Sequence, residues 1–223
     1  MVGRLGGTLL FLAVALSACS SGGGTKEAAS TTFSALPPST SAPASSSTTA
    51  PATCAPVTAP AGGNGAKEVN DPGDIPDNQA FVPYTPPAGG VTVKVPEGWA
   101  RTVAGGVVTF TDKFNSIRIE VLDAAAPTVA SATSTEVPAI QASANCFEAG
   151  KVTQVQRTSG PAILITYRMD GLPDPVTGKV VREAVERYEF AKGGKEAVLT
   201  LAGAVGADNV DPWRIVSDSF TWR

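Results

Sequence analysis

The chain has 223 residues and a mass of 22.6 kDa, with 17 Lys and Arg against 20 Asp and Glu, a net charge of −3 and a pI of about 5.0. This acidic balance excludes a broad phosphate-binding surface, so nucleic acid is not an expected partner. The absence of histidine removes Ser-His-Asp and Cys-His catalysis, the usual zinc sites and the commonest general base near neutral pH.

Residues 1–18 carry one early positive charge, Arg4, then an apolar run over 9–16 and small residues leading into Cys19. This is the pattern of a secretory signal, and its Leu16-Ser17-Ala18-Cys19 ending resembles the bacterial lipoprotein signal. The resemblance implies cleavage before Cys19, acylation of its sulfur with a fatty acid such as palmitate, and anchoring of the mature protein to the extracytoplasmic face of the cell membrane. The alternatives are an ordinary cleaved signal and a transmembrane helix, but a span needs about 20 apolar residues and this run is shorter. Removing the signal takes away Arg4 and no acid, leaving a mature net charge of −4.

From Ser20 to about Gly65 the chain is Ser, Thr, Ala, Pro and Gly with almost no large apolar side chain. Such a segment buries too little surface to offset its ordering entropy. Residues 19–66 are therefore expected to be a tether, spanning on the order of 40 Å as a coil, with a composition suited to O-glycosylation. Gly62 to Lys67 has glycines and a lysine, but no Ser or Thr follows the lysine and no strand precedes the glycines, so a phosphate-cradling loop is not expected. Asn70-Asp71-Pro72-Gly73-Asp74 is turn chemistry leading into one folded domain, 67–223.

With Cys19 assigned to lipid, Cys54 and Cys146 remain, an even number in a chain sent to an oxidising compartment. A single Cys54–Cys146 disulfide is the natural reading, and two unpaired thiols is the alternative.

The folded part reads mostly as strands. Val91, Val93 and Val95 alternate with Thr92 and Lys94, then Pro96-Glu97-Gly98 turns the chain and Trp99 returns to the apolar side. Strands follow over 107–112 and 117–122, close enough for a hairpin. The period then lengthens: Val137, Ile140, Ala144 and Phe147 share a helical face, with a cap at Ser134 or Thr135 and Pro138 in the first turn. Further strands are expected over 151–158, 162–169, 182–191 and 196–202, separated at 170–179 by a Gly- and Pro-rich irregular loop. Asp211-Pro212 reads as the cap and first-turn proline of a closing helix on which Trp213, Val216 and Phe220 repeat. The fold class is α+β, a largely antiparallel sheet covered by helices.

The stretch Val91-Thr92-Val93-Lys94-Val95-Pro96-Glu97-Gly98-Trp99, the hairpin, helix and strands after it, and the closing Ser219-Phe220 resemble the PsbP-like α-β-α sandwich. Within that fold the chain is most similar to the LpqN-type lipoproteins of actinobacteria, over roughly 81–223. The resemblance implies a non-enzymatic binding or assembly factor associated with envelope lipids and envelope protein partners. It brings no functional motif from which binding residues can be carried over.

No catalytic, cofactor or metal site is expected. Nothing matches G-x-S-x-G or S-x-x-K. Asp170, Asp174, Glu183, Glu186 and Glu189 offer a carboxylate pair or an oxygen site for calcium, but Arg182 and Arg187 are interleaved with the glutamates, and cross-strand, solvent-facing charge pairing accounts for them. Asp208 and Asp211 are explained by capping. The aromatics Trp99, Phe110, Tyr167, Tyr188, Phe190, Trp213 and Phe220 fall on apolar faces and are expected in the core. Trp99 and Trp213 are the candidates to line an apolar groove between helix and sheet. The expected function is a membrane-anchored, non-enzymatic binding or accessory module for an envelope lipid or a membrane-protein partner such as a transporter. The alternative is a carboxylate-dependent cell-envelope hydrolase.

Overall fold

The structure, a computed structural model, describes residues 54–56, 73–174 and 176–223. The signal, Cys19, the tether apart from 54–56, and the expected start of the domain at 67–72 lie outside the described residues. In chain order the elements are β1 (Phe81–Tyr84), β2 (Val91–Pro96), β3 (Ala100–Ala104), β4 (Val107–Asp112), β5 (Asn115–Asp123), α1 (Val129–Ser131), a π-helical segment (Ala132–Glu136), α2 (Val137–Ser143), β6 (Glu148–Arg157), β7 (Gly160–Asp170), β8 (Arg182–Lys192), β9 (Lys195–Ala204), α3 (Val210–Asp218) and β10 (Thr221–Trp222).

Seven strands form one antiparallel sheet in the order β3-β4-β5-β9-β8-β7-β6, and β1-β2-β10 form a second, smaller one. Strand alternation sorts the side chains of the large sheet onto two faces. On one, Val108, Ile119, Leu199 and Tyr188 stand in a row across four strands, with Phe110, Ile117 and Leu201 in the next row. Val91, Val93 and Val95 of β2 pack over this face together with Trp213 and Val216 of α3 and Phe220. Phe220 stacks on Phe190 at 4.0 Å between ring centroids. On the other face Ile163, Ile165, Tyr167, Val185 and Ala202 pack under Ala132, Val137 and Ile140.

The molecule is thus α+β with a mainly antiparallel sheet, but the expectation of a sheet covered by helices is corrected. One face is covered largely by the smaller sheet, with α3 beside it. The other face has a single helical run, 129–143. The cause lies in β2, whose three alternating valines, buried in one row, need an apolar surface opposite and find it on the large sheet.

That helical run also starts earlier than its apolar period indicates. Thr128 is the N-cap: its hydroxyl accepts from the Ser131 N–H at 3.0 Å, and the Ser131 hydroxyl accepts from the Thr128 N–H at 2.9 Å, a reciprocal capping arrangement. Ser134 and Thr135 lie inside the π segment, where the Val137 N–H reaches back five residues to the Ala132 carbonyl. Pro138, which has no N–H to give, follows immediately.

The sulfurs of Cys54 and Cys146 are bonded, with Cα atoms 5.5 Å apart across a sequence separation of 92. Among the described residues no helix is long and apolar enough to cross a membrane.

Candidate ligand groove

The C-terminal helix is seated by two buried amides. The Asn209 amide donates to the Gly73 carbonyl at 3.0 Å and to Asn115 Oδ1 at 2.9 Å, while its oxygen accepts from the Ile75 N–H at 2.9 Å. Asn115 in turn donates to the same Gly73 carbonyl at 2.8 Å. Asn209 occupies the N-cap position of α3 but makes no side-chain capping bond, because its amide is used in this network. The expected Asp211 cap is therefore corrected: Asp211 sits in the first turn and pairs with Arg214 at 2.9 Å. Gly73 has φ +107°, a conformation glycine adopts without strain, and a side chain there would press on Ala204.

Fixed in this way, α3 holds Trp213 over β9, while its first turn overhangs a groove of about 480 Å³. The floor is open because small residues occupy it: Ala184 of β8 and Gly203 of β9 present almost no side chain to the space. A Cβ at 203 would lie 2.7 Å from Asn115 Oδ1 and 2.8 Å from Asn209 Nδ2, so the amide network and the glycine require each other. The far wall is β6, whose register with β7 shifts between Ala149 and Val152. Gly150 lies within that shift against the Thr166 carbonyl, and the Lys151 N–H donates to the Thr166 hydroxyl at 2.9 Å. Glu148, Lys151, Arg168 and Glu186 make a polar rim around an interior lined by glycines, alanines, Val210 and Trp213.

The two expected groove residues are brought together, with Trp99 edge-on to Trp213. Only Trp213 lines the groove; Trp99 packs behind it against the core. Both groove carboxylates are already engaged. Glu186 accepts from the Tyr188 hydroxyl at 2.7 Å, and burial, followed by this bond, pushes the Tyr188 phenol up. Arg157 lies over the Tyr188 ring and donates to its oxygen at 2.8 Å, to the Ser217 hydroxyl at 3.1 Å, and approaches Asp218 at 3.7 Å. Glu148 pairs with Arg182 at 3.2 Å and Arg168 at 3.3 Å.

The remaining acids lie elsewhere. Asp170 faces Arg182 across β7 and β8 at 3.3 Å, and Arg182 also donates to the Cys146 carbonyl. Asp170 approaches Cys54 and Cys146 closely, but sulfurs bonded to each other offer no thiolate to a metal. Asp174 folds its own loop, and hydrogen bonds from Thr177 hold its carboxyl below the usual range. Glu186 and Glu189 depart from the solvent-facing, cross-strand pairing expected of them: Glu186 is bonded along its own strand to Tyr188, and Glu189 is buried and pairs along the same strand with Arg187 at 2.9 Å, which also meets Glu136 at 3.4 Å. Burial pushes Glu183 up to about 7, and burial reinforced by the nearby Glu189 does the same to Glu196. Neither lines the groove.

No family model and no curated protein sequence matches the chain. Among solved structures, cyanobacterial PsbP (CyanoP) from Synechocystis is similar at 15% identity and TM-score 0.46, covering 74% of this chain and 99% of that one. LpqN, involved in cell envelope biogenesis of Mycobacterium tuberculosis, is similar at 13% identity and TM-score 0.37, covering 66% and 92%. A Bacteroides thetaiotaomicron protein matches at 12% identity and TM-score 0.43 over 63% of this chain, which spans about half, 48%, of that protein's length. The α+β architecture described above rests on strand register, independently of these likenesses.

Proposed function

We propose that this protein is a lipid-anchored extracytoplasmic lipoprotein of the LpqN-like, PsbP-like type that binds without catalysing. The groove beneath α3 is its binding site, taking part of an envelope lipid or an apolar segment of a membrane-protein partner. The observation that carries this reading is the floor: Ala184 and Gly203 leave an open space beside Trp213, of a volume suited to a small ligand. Its apolar interior and polar rim suit an amphiphile. Carboxylate hydrolysis, by contrast, needs two acids held apart in pKa at one place. The acids with raised pKa lie outside the groove, and the two on its rim are held by Tyr188 and by arginines.

Complementation of a deletion strain tests the site, with protein level and unfolding midpoint measured for each variant. Ala184→Leu, at an exposed position, fills the groove and is expected to abolish function while leaving the fold intact. Glu183→Gln and Glu189→Gln, at positions that do not line the groove, are expected to complement. Complete loss of function in one well-folded Glu→Gln variant would transfer the reading to carboxylate chemistry. Anchoring is tested separately: Cys19→Ala should not incorporate labelled fatty acid, and incorporation in that variant refutes acylation at Cys19.

A further inference from the structure

The three most exposed large apolar side chains among the described residues are Val176 at 90%, Leu172 at 89% and Val210 at 72%. Isolated apolar residues on a surface need no explanation. These three, however, stand at the same end of the large sheet. Register defines that end, where Glu148 lies opposite Arg168, Asp170 opposite Arg182 and Glu183 opposite Ala204. Leu172 and Val176 lie in the connection from β7 to β8, and Val210 opens α3 just beyond β9.

The β7–β8 connection presents its side chains from a built turn. Asp174 Oδ1 accepts from the Val176 N–H at 3.1 Å, the Thr177 N–H at 2.7 Å and the Thr177 hydroxyl at 2.8 Å. At its root the Gly171 N–H donates to the Val181 carbonyl at 2.9 Å, and Lys179 Nζ reaches to 5.6 Å from the Phe114 ring centroid. The N-terminal part of the chain joins the fold at this same root. Cys54 is bonded to Cys146, and the Ala55 N–H donates at 2.9 Å to Asp170, two residues before Leu172. The groove opens here too, since Ala204, Ala207 and Val210 line it.

We infer that this end of the sheet is set against a lipid surface, with Leu172, Val176 and Val210 at the boundary between headgroups and acyl chains and the groove opening toward the lipid. The inference rests on the proposed acylation of Cys19. Cys54 follows Cys19 by only 35 residues, so along the chain the bridged end is the first part of the described fold to follow the anchor. Charges of both signs stand at this end, Lys113, Lys151, Arg168, Lys179 and Arg182 among Asp112, Glu148, Asp170, Asp174, Glu183 and Asp208. They leave no basic excess, so the contact is apolar and does not call for anionic lipid. A lipid surface at this end would let an acyl chain pass into the groove without crossing water.

The test uses the full acylated protein, labelled at Leu and Val methyls, in phosphatidylcholine nanodiscs containing a lipid with a nitroxide near its headgroup. The Leu172, Val176 and Val210 methyl signals are expected to lose most of their intensity. Those of Leu122 and Val129, also exposed but at the opposite end of the sheet, should keep theirs. Equal broadening at both ends, or broadening confined to Leu122 and Val129, would overturn the inference while leaving anchoring intact. Protein that does not associate with the discs would instead refute the anchored reading and the inference with it. Changes at Leu172, Val176 and Val210 that arise only when envelope membrane proteins are added to nitroxide-free discs would assign this end to a protein partner, again overturning it.

Discussion

Trp99 stands edge-on to Trp213, with ring centroids 6.5 Å apart and planes at 86°. The pair joins the corner after β2 to the helix that overhangs the groove, but the two rings are not equivalent. Trp213 is 6% exposed and touches both core and groove, whereas Trp99 is only partly buried. Trp213→Ala should lose roughly 3–5 kcal/mol of stability, the usual range for a buried large aromatic. Trp99→Ala should lose clearly less and retain ligand. Urea unfolding of both variants measures this, and equal costs would contradict the placement.

The covalent link between Cys54 and Cys146 makes a second prediction. The chain-entropy treatment gives at most roughly 4–5 kcal/mol for a closed loop of this size. The observed effect should be smaller, because residues next to Cys54 are ordered too, as the Ala55 bond to Asp170 shows. Cys146→Ser should therefore lower stability by roughly 2–4 kcal/mol, with no further loss when Cys54→Ser is added. Intact mass with and without reductant checks the chemistry: free thiols at both Cys54 and Cys146 in the unreduced protein would refute the bridge.

Gly203 and Asn209 should behave as one unit. Gly203→Ala drives a methyl group into both buried amides, and Asn209→Ala leaves the Ile75 N–H and Asn115 Oδ1 without their partner. Each should cost roughly 1–3 kcal/mol, and the double variant should cost less than the sum. Additivity in unfolding free energy would show that the two do not share a network.

Stability should also depend on pH between the ordinary and the raised values of two carboxyls. Burial pushes Glu183 and Glu196 from 4.5 to about 7, so in that window the folded chain binds more protons than the unfolded one. Their contribution is fully present below 4.5 and is lost as pH rises through about 7. The urea midpoint should fall from about pH 5 to about pH 8, with Glu183 accounting for roughly 1–3 kcal/mol. Glu183→Gln should flatten the profile and be the more stable form at the alkaline end. A midpoint that rises across the window contradicts this assignment.

Much of the sheet was legible in the sequence because its strands alternate. The valines of β2, the isoleucines of β5, and the apolar runs of β7 and β9 all declared themselves. By contrast, every residue of β3 is exposed, so no alternation marks it, and β10 is too short to carry a period. The helical run began unseen at Thr128 because its cap is completed by Ser131 rather than by an acid. Trp213 could be singled out as a groove residue from its size and position. The rest could not, since the floor consists of side chains that are missing at Ala184 and Gly203, and α3 is seated by Asn115 and Asn209, whose burial leaves no mark on a sequence.

The bridge also decides how the molecule carries load. A pull on the chain ahead of Cys54 passes through sulfur to Cys146 and arrives two residues before β6. Strands β1 to β5 and the helical run lie inside the covalent ring, so the path through the sulfurs bypasses them. β6, an edge strand with β7 as its one strand neighbour, takes it first. With the sulfurs reduced, the same pull would enter the described fold at Gly73 and load the Asn115 and Asn209 amides that hold it instead. Oxidation thus selects which side of the molecule is the mechanical weak point.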